Sequence, residues 1–379
     1  MPEGPSRAVR YRSGTHRIRS PEETWEWIAP VLPRIGVTRI ADVTALDSLG
    51  IPVYQAVRPL SRNLSVSQGK SFSPQAAKVS AVMESVELWH SEDLGHLPQA
   101  RVSMREMQYA NPIETRTLKW RTDTRLLDAL PIAWLEARRL GEAGTAWLPR
   151  QMLELDLSLP RALVPQMFHR TSNGLASGNC PEEALIHALC ELLERHALFL
   201  EHEGRIRREP IDLASLSDPS CREMVSRFHA AGMKVALYDL TWEAGLACVV
   251  ADVAAPDLPN IWRGSGCHGA PEVAASRALS EAAQSRLTYI SGARDDLTEF
   301  GSAGSVSARF EGFEAPSGGR LLETLPRLAT GDLTRDLEGI VDRISCLGLE
   351  AFYVDLTRAE LQVPVVFCYV PGLREAPYA

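Results

Sequence analysis

The sequence predicts a mixed α/β protein of the α+β type, with several β-strands and three long helices. Runs of β-branched and aromatic residues bounded by Gly and Pro alternate with helical patterns that have a proline in the first turn. Of the 379 residues, 45% are hydrophobic and 23% are charged, which is typical of a globular protein. A chain of this length and composition can bury a sizeable core.

Apolar periodicity and first-turn residues predict the helices. A short helix is predicted over 24–32, after Pro-Glu-Glu, and long helices over 74–91, 181–201 and 271–289. Alternating or continuous apolar runs predict strands at 51–57, 63–67, 131–137, 162–167, 233–240, 247–253, 349–355 and 363–370. The order of strand followed by long helix therefore occurs repeatedly along the chain.

Two connecting segments are rich in small residues. The segment 172–179 contains Gly and is predicted as a loop before the second long helix. The segment 295–319 is rich in Gly and Ser, and it is predicted either as a mobile lid or as a solvated insertion without a mechanistic role.

Charge and cysteine usage exclude several classes of protein. The net charge of -8 and the isoelectric point of about 5.7 argue against a nucleic-acid or membrane-surface partner. Residues 1–20 are rich in Arg and lack the apolar core of a signal peptide, and no run of about 18 apolar residues follows. The seven cysteines form no CxxC pair, so neither a disulfide framework nor a zinc site is predicted. We therefore predict a cytoplasmic protein with a peptide or small-molecule partner.

The first long helix carries a pair of carboxylates. Ser80, Glu84 and Glu87 lie three or four residues apart, so they share one helix face. Two carboxylates at this spacing repel each other, and no Lys or Arg follows four residues later to compensate. A divalent cation would stabilise the pair.

The second long helix repeats this arrangement with Glu191 and Glu194. Its many leucines predict that much of the helix is buried, where an unpaired carboxylate is costly, and Arg195 neutralises only part of the charge. A single pair of this kind is usually an exposed helix face, but two copies favour hard cations that also hold phosphates. A di-iron site is disfavoured because neither pair supplies the Glu-x-x-His pattern.

The third long helix places Arg277, Glu281 and Gln284 near one face, with Arg286 offset by half a turn. Guanidinium groups suit phosphate oxygens. An internal ion pair between Arg277 and Glu281 is the alternative explanation of this pattern.

A short segment matches part of a phosphate-binding loop motif. Gly69, Lys70 and Ser71 match the end of a Walker A motif, but Leu64 stands where that motif requires Gly. A P-loop fold is therefore not predicted, although Lys70 could still reach a phosphate as a point charge.

In this order, the segments resemble the YcaO family of ATP-dependent enzymes, which activate peptide backbone amides. The resemblance rests on Ser67-Gln-Gly-Lys70, Ser80-x-x-x-Glu84-x-x-Glu87, Asn173-Gly-Leu-Ala-Ser-Gly-Asn179, Glu191-x-x-Glu194-Arg195 and Arg277-Ala-x-x-Glu281-Ala-x-Gln284-Ser-Arg286. It implies one YcaO-type domain over 1–379, with an N-terminal segment 1–59 and an ATP-binding core over about 60–379, whose sheets and long helices enclose a Mg-ATP pocket.

The resemblance also implies roles for individual residues and two cofactors, ATP and Mg2+. The implied magnesium ligands are Glu84, Glu87, Glu191 and Glu194. The implied nucleotide-binding residues are Lys70, Ser80, Asn173, Arg195, Gln284 and Arg286, among which Lys70, Arg195 and Arg286 would face the phosphates.

Two departures from the family pattern bear on the product. Leu88 stands where many members have Arg after the first pair of carboxylates. The chain also ends without the proline-rich tail linked with azoline-forming members, which favours thioamide formation with a TfuA-like partner. Because no leader-binding domain is recognisable upstream, peptide recognition is expected to depend on a separate protein.

Several alternatives stay open at this point. One is an azoline-forming cyclodehydratase, a second is a nucleotide-binding scaffold without turnover, and a third is a metal-dependent hydrolase that uses the same carboxylates around water. The oligomeric state, including a homodimer, also stays open.

Overall fold

The computed structural model describes residues 7–108, 110, 113, 118, 128–158, 165–258, 260–292 and 310–376. Within these residues the main helices are α1 (Pro21–Ile28), α2 (Pro74–Ser91), α3 (Met104–Met107), α4 (Arg150–Leu153), α5 (Pro181–His202), α6 (Pro219–Ala230), α7 (Pro271–Ser291) and α8 (Leu333–Cys346). The strands are β1 (Arg39–Asp42), β2 (Val53–Val57), β3 (Val66–Lys70), β4 (Gln99–Val102), β5 (Ile132–Arg139), β6 (Thr145–Pro149), β7 (Leu175–Ser177), β8 (Glu209–Ile211), β9 (Lys234–Asp239), β10 (Ala247–Ala254), β11 (Ile261–His268), β12 (Phe352–Asp355) and β13 (Val365–Tyr369).

The first sheet has the order β1-β2-β3, and α2 packs on it. Its strands are antiparallel, with Val53 opposite Lys70 and Val57 opposite Val66. The side chain of Ser73 accepts a hydrogen bond from the N–H of Ala76, and the proline that follows begins α2 without losing a helical hydrogen bond. Residues 39–42, 53–57 and 66–70 thus form one sheet.

The second sheet has the order β11-β10-β9-β8, and α7 packs against β10 and β11. Its central strand β10 is buried along its whole length, in keeping with the apolar run that predicts it. α7 ends at Ser291 and is followed by Gly292, which has φ 58°, a left-handed conformation that favours Gly.

The third sheet has the order β4-β5-β12-β13-β7, with β6 paired to β5. α5 packs on β7 and β13, and α8 packs on α5. Each of the three sheets therefore carries one of the three long helices that the sequence predicts.

Glycines allow direct contact between strand and helix backbones in the first two sheets. A Cβ atom at Gly69 would lie 2.0 Å from the amide nitrogen of Ala81 and 2.2 Å from the carbonyl oxygen of Ala77. At Gly264, a Cβ atom would lie 2.1 Å from the carbonyl oxygen of Ala278. These distances are far below van der Waals contact, so only Gly allows β3 to approach α2, and β11 to approach α7, this closely.

The element predictions are confirmed for the long helices, with α2 beginning and ending at the predicted residues and α5 and α7 extending one or two residues further. The segment 172–179 is not wholly a loop, because it contains β7. The strand predicted over 162–167 is wrong for 165–167, which are irregular, and its remaining residues lie outside the described ones. No helix in the described part of the chain is long and apolar enough to cross a membrane.

Of the predicted lid over 295–319, the structure describes residues 310–319. The Nζ atom of Lys234 donates hydrogen bonds to the carbonyl oxygens of Phe310 and Phe313 at 2.9 and 3.0 Å. Phe313 is buried against Ala236 and Ala254 of the second sheet. This part of the segment is therefore packed on the sheet, while residues 295–309 lie outside the described ones.

Candidate functional site

The three long helices converge on a cavity of about 1630 Å3. Each helix lines the cavity with polar side chains spaced three or four residues apart, which places them on one face. These polar residues include Ser80, Glu84 and Glu87 on α2, Glu183, His187, Glu191, Glu194 and Arg195 on α5, and Arg277, Glu281 and Gln284 on α7.

Neighbouring strands orient both carboxylates of α2. Glu84 Oε2 accepts a hydrogen bond from the backbone N–H of Gln68 on β3 at 2.7 Å. Glu87 Oε1 accepts from the backbone N–H and the hydroxyl of Ser177 on β7, at 2.8 and 2.7 Å. Because a carboxylate offers about four lone-pair sites, these bonds orient the two groups without saturating them.

The carboxylates of α5 are oriented in the same way. Glu191 Oε2 accepts from the backbone N–H of Gly174 at 2.9 Å, and Glu194 Oε1 accepts from the hydroxyl of Ser265 on β11 at 2.7 Å. Gly174 has φ 91°, and a Cβ atom there would lie 2.4 Å from the carbonyl oxygen of Cys368, so this donor position requires Gly.

Arg195 belongs to the carboxylate group of α5. Its guanidinium nitrogens lie 3.8 Å from Glu191 Oε1 and 3.8 Å from Glu194 Oε1. This single cation therefore lies near both carboxylates and, as the sequence predicts, neutralises only part of their charge.

Electrostatics link the two pairs of carboxylates. Burial raises the pKa of Glu87 to about 8, and the Glu84 and Glu191 carboxylates also raise it, while the hydrogen bonds from Ser177 oppose this shift. Burial likewise raises the pKa of Glu191, against the lowering effect of Arg195. Residues from α2 and α5 therefore place mutually repelling charges around one space, and a bound cation would relieve this repulsion.

The carboxylates fit magnesium ions that are shared with a phosphate ligand. Among the residues that the structure describes, no three His, Cys, Asp or Glu side chains are placed to hold one ion jointly. Mg2+ typically takes only one or two protein carboxylates and completes its coordination with phosphate oxygens and water. Two oriented pairs on facing helices suit that mode of binding.

Lys70 and Glu281 form an ion pair in the cavity wall, with 3.1 Å between Nζ and Oε2. Burial alone would raise the pKa of Glu281, but Lys70, Arg195 and Arg277 hold it below its ordinary value. Glu281 thus pairs with Lys70, and Arg277 instead donates a hydrogen bond to His187 Nε2. The alternative of an Arg277–Glu281 ion pair is wrong for this structure.

Three of the residues expected to bind the nucleotide, Ser80, Asn173 and Gln284, line the cavity. Asn173 is buried and donates from its side chain to Glu375, and Gln284 Nε2 lies 3.4 Å from its acceptor, Gln68 Oε1. Ser80 lies on α2 one turn before Glu84.

The phosphate role expected of Arg286 does not fit the structure. Arg286 is not among the residues that line the cavity, and its side chain is 3% exposed. Its Nε donates to Asp47 at 2.9 Å, and its Nη1 donates to Asp257 at 2.9 Å. Four of its five N–H groups already donate to these two carboxylates, so a phosphate would have to compete with both of them for the guanidinium.

The N-terminal segment contributes to the cavity wall in a way that sequence reasoning missed. Arg17 and Arg19 line the cavity, and Arg17 Nε lies 3.8 Å from Glu183 Oε2. Glu183 also accepts a hydrogen bond from the backbone N–H of Ile18 at 2.6 Å. The signal available in the sequence was a Glu one turn before His187 on the carboxylate-bearing face of α5.

Residues 68–374 match the model of a family described as YcaO cyclodehydratase, ATP- and Mg2+-binding. An uncharacterised protein of Mycobacterium tuberculosis is 37% identical over 380 residues, covering 96% of this chain and 84% of that protein. An uncharacterised protein in the tfuA 3′ region of Rhizobium leguminosarum bv. trifolii is 36% identical over 374 residues, covering 94% of this chain and 88% of that protein.

Solved structures share the fold. YcaO from Methanopyrus kandleri, bound with AMPPCP and Mg2+, matches with a TM-score of 0.75 and 27% identity over 97% of this chain and 94% of that one. A heterocyclase in complex with substrate and cofactor has a TM-score of 0.81 and 22% identity, and this similarity shows the fold alone. It covers 98% of this chain, which spans 54% of the heterocyclase. The predicted fold is confirmed by these comparisons.

Proposed function

This chain belongs to the YcaO family, and on that premise we propose that it uses Mg-ATP to activate a backbone amide of a peptide for thioamide formation with a TfuA-like partner. ATP and Mg2+ are the cofactors predicted from the sequence, and they are those of the family. The main support for the proposal is that two pairs of carboxylates, one pair on α2 and one on α5, line the same large cavity.

In this proposal Glu84, Glu87, Glu191 and Glu194 hold magnesium, and Lys70, Ser80, Asn173, Arg195 and Gln284 contact the nucleotide. When bound, ATP supplies a phosphoryl group to the amide oxygen, so that phosphate leaves after a sulfur nucleophile adds to the carbonyl carbon. The contribution of the protein is to position the reactants and to balance charge.

The hydrogen bonds around the site support that assignment. Backbone N–H groups of Gln68, Ser177 and Gly174 fix three of the carboxylates, so little reorganisation is needed when a cation enters. Arg195 lies beside both carboxylates of α5, where its charge can be shared between them and an incoming phosphate.

The preference for thioamide formation over azoline formation is supported by the gene location of a relative. The protein from Rhizobium leguminosarum bv. trifolii, whose gene lies in the tfuA 3′ region, is 36% identical over nearly the whole chain. The family model, described as a cyclodehydratase, favours azoline formation as the second candidate. Both reactions share the activation of the amide.

Mass spectrometry of the peptide product distinguishes the two candidates. We expect the peptide to become heavier by about 16 Da, because sulfur replaces oxygen, whereas azoline formation would make it lighter by about 18 Da through loss of water. The assay requires a candidate peptide substrate, a TfuA-like protein and a sulfide source. An unmodified peptide beside steady ATP hydrolysis would contradict both candidates.

A pair of variants ties the reaction to the site. Glu191→Gln should abolish phosphate release that depends on magnesium and peptide, because it removes one charge that the cation needs. Glu338→Gln is the matched control, since Glu338 is exposed on α8 and outside the cavity. Equal loss in both variants, or near-normal turnover in Glu191→Gln, would count against the magnesium assignment.

A further inference from the structure

One face of the second sheet forms part of the cavity wall. Side chains two residues apart on a strand point to the same face, so Ile261, Arg263 and Ser265 of β11 share one face. A Cβ atom at Gly264 would meet the backbone of α7, so the face that bears Arg263 points away from that helix. Ile261 and Arg263 line the cavity, as does Tyr238 of β9. This face is therefore accessible from the cavity.

The face runs from the carboxylates of α5 to the exposed rim of the cavity. Ser265 donates to Glu194 at 2.7 Å, so this end of the strand lies at the candidate magnesium site. Two residues along a strand span about 7 Å, which places Arg263 one such step from Ser265 and Ile261 two steps. The exposed fraction rises in the same direction, from 5% at Ser265 to 44% at Ile261. β11 therefore connects the candidate magnesium site with solvent.

Asp252 of β10 fixes the direction of Arg263. The two residues lie opposite each other in the antiparallel pair, and Arg263 Nε donates to Asp252 Oδ1 at 2.8 Å. Arg263 Nη2 also donates to Asp252 Oδ2 at 3.4 Å, which leaves three of the five guanidinium N–H groups without an acceptor among the described residues. The side chain of Arg263 is 49% exposed, whereas that of Asp252 is 9% exposed. The guanidinium is thus anchored on its buried side and can donate on its cavity side.

Asp252 is shared between two arginines. Its Oδ2 atom also accepts from Arg208 Nη1 at 2.6 Å. Arg208 has a second carboxylate partner in Glu201, whereas Asp252 is the one carboxylate within 4 Å of Arg263 among the described residues. A carboxylate placed against the exposed side of Arg263 would therefore gain charge-assisted hydrogen bonds.

Apolar residues border Arg263 on the side away from the carboxylates of α5. Ile261 follows on the same face, opposite Ala254 of β10. Phe313 lines the cavity and packs on Ala254 and Ala236. An extended peptide has the same two-residue repeat as β11, so its side chains at i and i+2 can meet Arg263 and Ile261 in turn.

We propose that this face binds the peptide substrate, with an acidic side chain on Arg263 and an apolar side chain two residues away on Ile261 and Phe313. The inference rests on the proposed function, because it takes the ligand to be a peptide held beside the nucleotide. The cavity of about 1630 Å3 is larger than the roughly 300–1,000 Å3 of small-molecule sites, which leaves room for both ligands. The step of about 7 Å between Ser265 and Arg263 places the acidic residue two or three positions from the modified amide.

Selection from a displayed library of randomised heptapeptides, panned on the full chain with Mg-AMPPCP present, tests this pattern. We expect enrichment of peptides that carry Asp or Glu two positions from an apolar residue. The same selection on Arg263→Gln should lose the acidic preference and keep the apolar one. This variant leaves Asp252 paired with Arg208, so no buried carboxylate loses its counter-ion, and the melting temperature checks its fold. Arg335→Gln, at an exposed position on α8, is the matched control.

One selected peptide then gives the strength of the contact. Fluorescence anisotropy compares it with a second peptide in which Gln replaces the acidic residue. This replacement should weaken binding to the unaltered protein by about three- to tenfold, between the values for exposed and for buried charged pairs. It should have no effect on binding to Arg263→Gln, because the partner of the acidic group is then absent.

The outcomes that overturn the inference are a library that yields no binders, selected peptides without the acidic preference, or an unchanged preference in Arg263→Gln. A calorimetric titration with Mg-AMPPCP separates this failure from that of the proposed function. If the unaltered protein binds Mg-AMPPCP and only the peptide selection fails, this inference alone is wrong. If it does not bind Mg-AMPPCP, the proposed function is wrong as well. If Arg263→Gln weakens Mg-AMPPCP binding by about tenfold or more, Arg263 belongs to the nucleotide site and its assignment to the peptide is wrong.

Discussion

Replacement of Arg286 by Met should destabilise the protein without weakening nucleotide binding. The side chains of Arg286 and Asp47 are each 3% exposed, and they form two hydrogen bonds, from Nε to Oδ2 at 2.9 Å and from Nη2 to Oδ1 at 3.1 Å. Asp257, the second partner, is 55% exposed and can return to water when the arginine is lost. The buried Asp47 carboxylate cannot reach water in the same way, so its charge would be left without a counter-ion.

The magnitude follows from that difference in burial. Removal of one partner of a buried ion pair costs about 3–5 kcal/mol, because an uncompensated charge is left in the protein interior. Arg286→Met should lower the free energy of unfolding by roughly that amount, since Asp47 is the buried partner. If Asp47→Asn is combined with Arg286→Met, no charge is stranded, and the double variant should be more stable than the single arginine variant.

Urea unfolding followed by tryptophan fluorescence measures the stability of the four proteins in this cycle. Calorimetric titration with Mg-AMPPCP, under conditions where each variant is folded, measures the nucleotide affinity. We expect the two measurements to separate, with stability reduced and affinity kept within about twofold, because Arg286 does not line the cavity. An Arg286→Met protein of nearly unchanged stability but much weaker nucleotide binding would refute this reasoning and restore the phosphate role expected from the sequence.

Three further predictions concern backbone packing, metal dependence and pH. Gly69→Ala should cost about 1–3 kcal/mol or more of unfolding free energy, because its Cβ would meet the backbone of α2, whereas Gly312→Ala has open space and should cost far less, as urea unfolding would show. EDTA should abolish ATP binding measured by calorimetry, because the cavity carboxylates repel a triphosphate that carries no metal ion. Tight binding of ATP without metal would contradict the magnesium assignment. Burial lowers the pKa of His90 to about 4, so only the unfolded chain gains its proton as pH falls from about 6.5, and stability should drop by up to about 3 kcal/mol by pH 4. His90→Leu should flatten that part of the pH profile, and an unchanged profile would contradict the assignment.

The local features of the site could be predicted from the sequence because they depend on residues a few positions apart. Pro74 in the first turn and the apolar spacing predict α2, and helical periodicity then places Glu84 and Glu87 on one face. The same periodicity places Glu191 and Glu194 together on α5. The mixed fold and the family were also predicted from the sequence, and both are confirmed.

Other parts of the site could not be read from local spacing. Ser177 and Ser265, which orient carboxylates of α2 and α5, lie 90 and 71 residues from the groups they contact. Strand β11 contains Gly264 and Gly266, which weaken a strand pattern in the sequence but in the structure allow the strand to approach α7. The reason for these glycines can be recognised only once the position of α7 on the sheet is known.

The two arginines of α7 separate what the sequence predicts from what only the tertiary structure determines. The sequence by itself determined that α7 is a helix and that Arg277 and Arg286 lie on opposite faces, since helical periodicity is a local property of the backbone. It could not determine which face turns toward the carboxylates of the other helices. The tertiary structure decided this, because Asp47 comes from a distant segment to bury Arg286 while α5 brings His187 to Arg277 at the cavity.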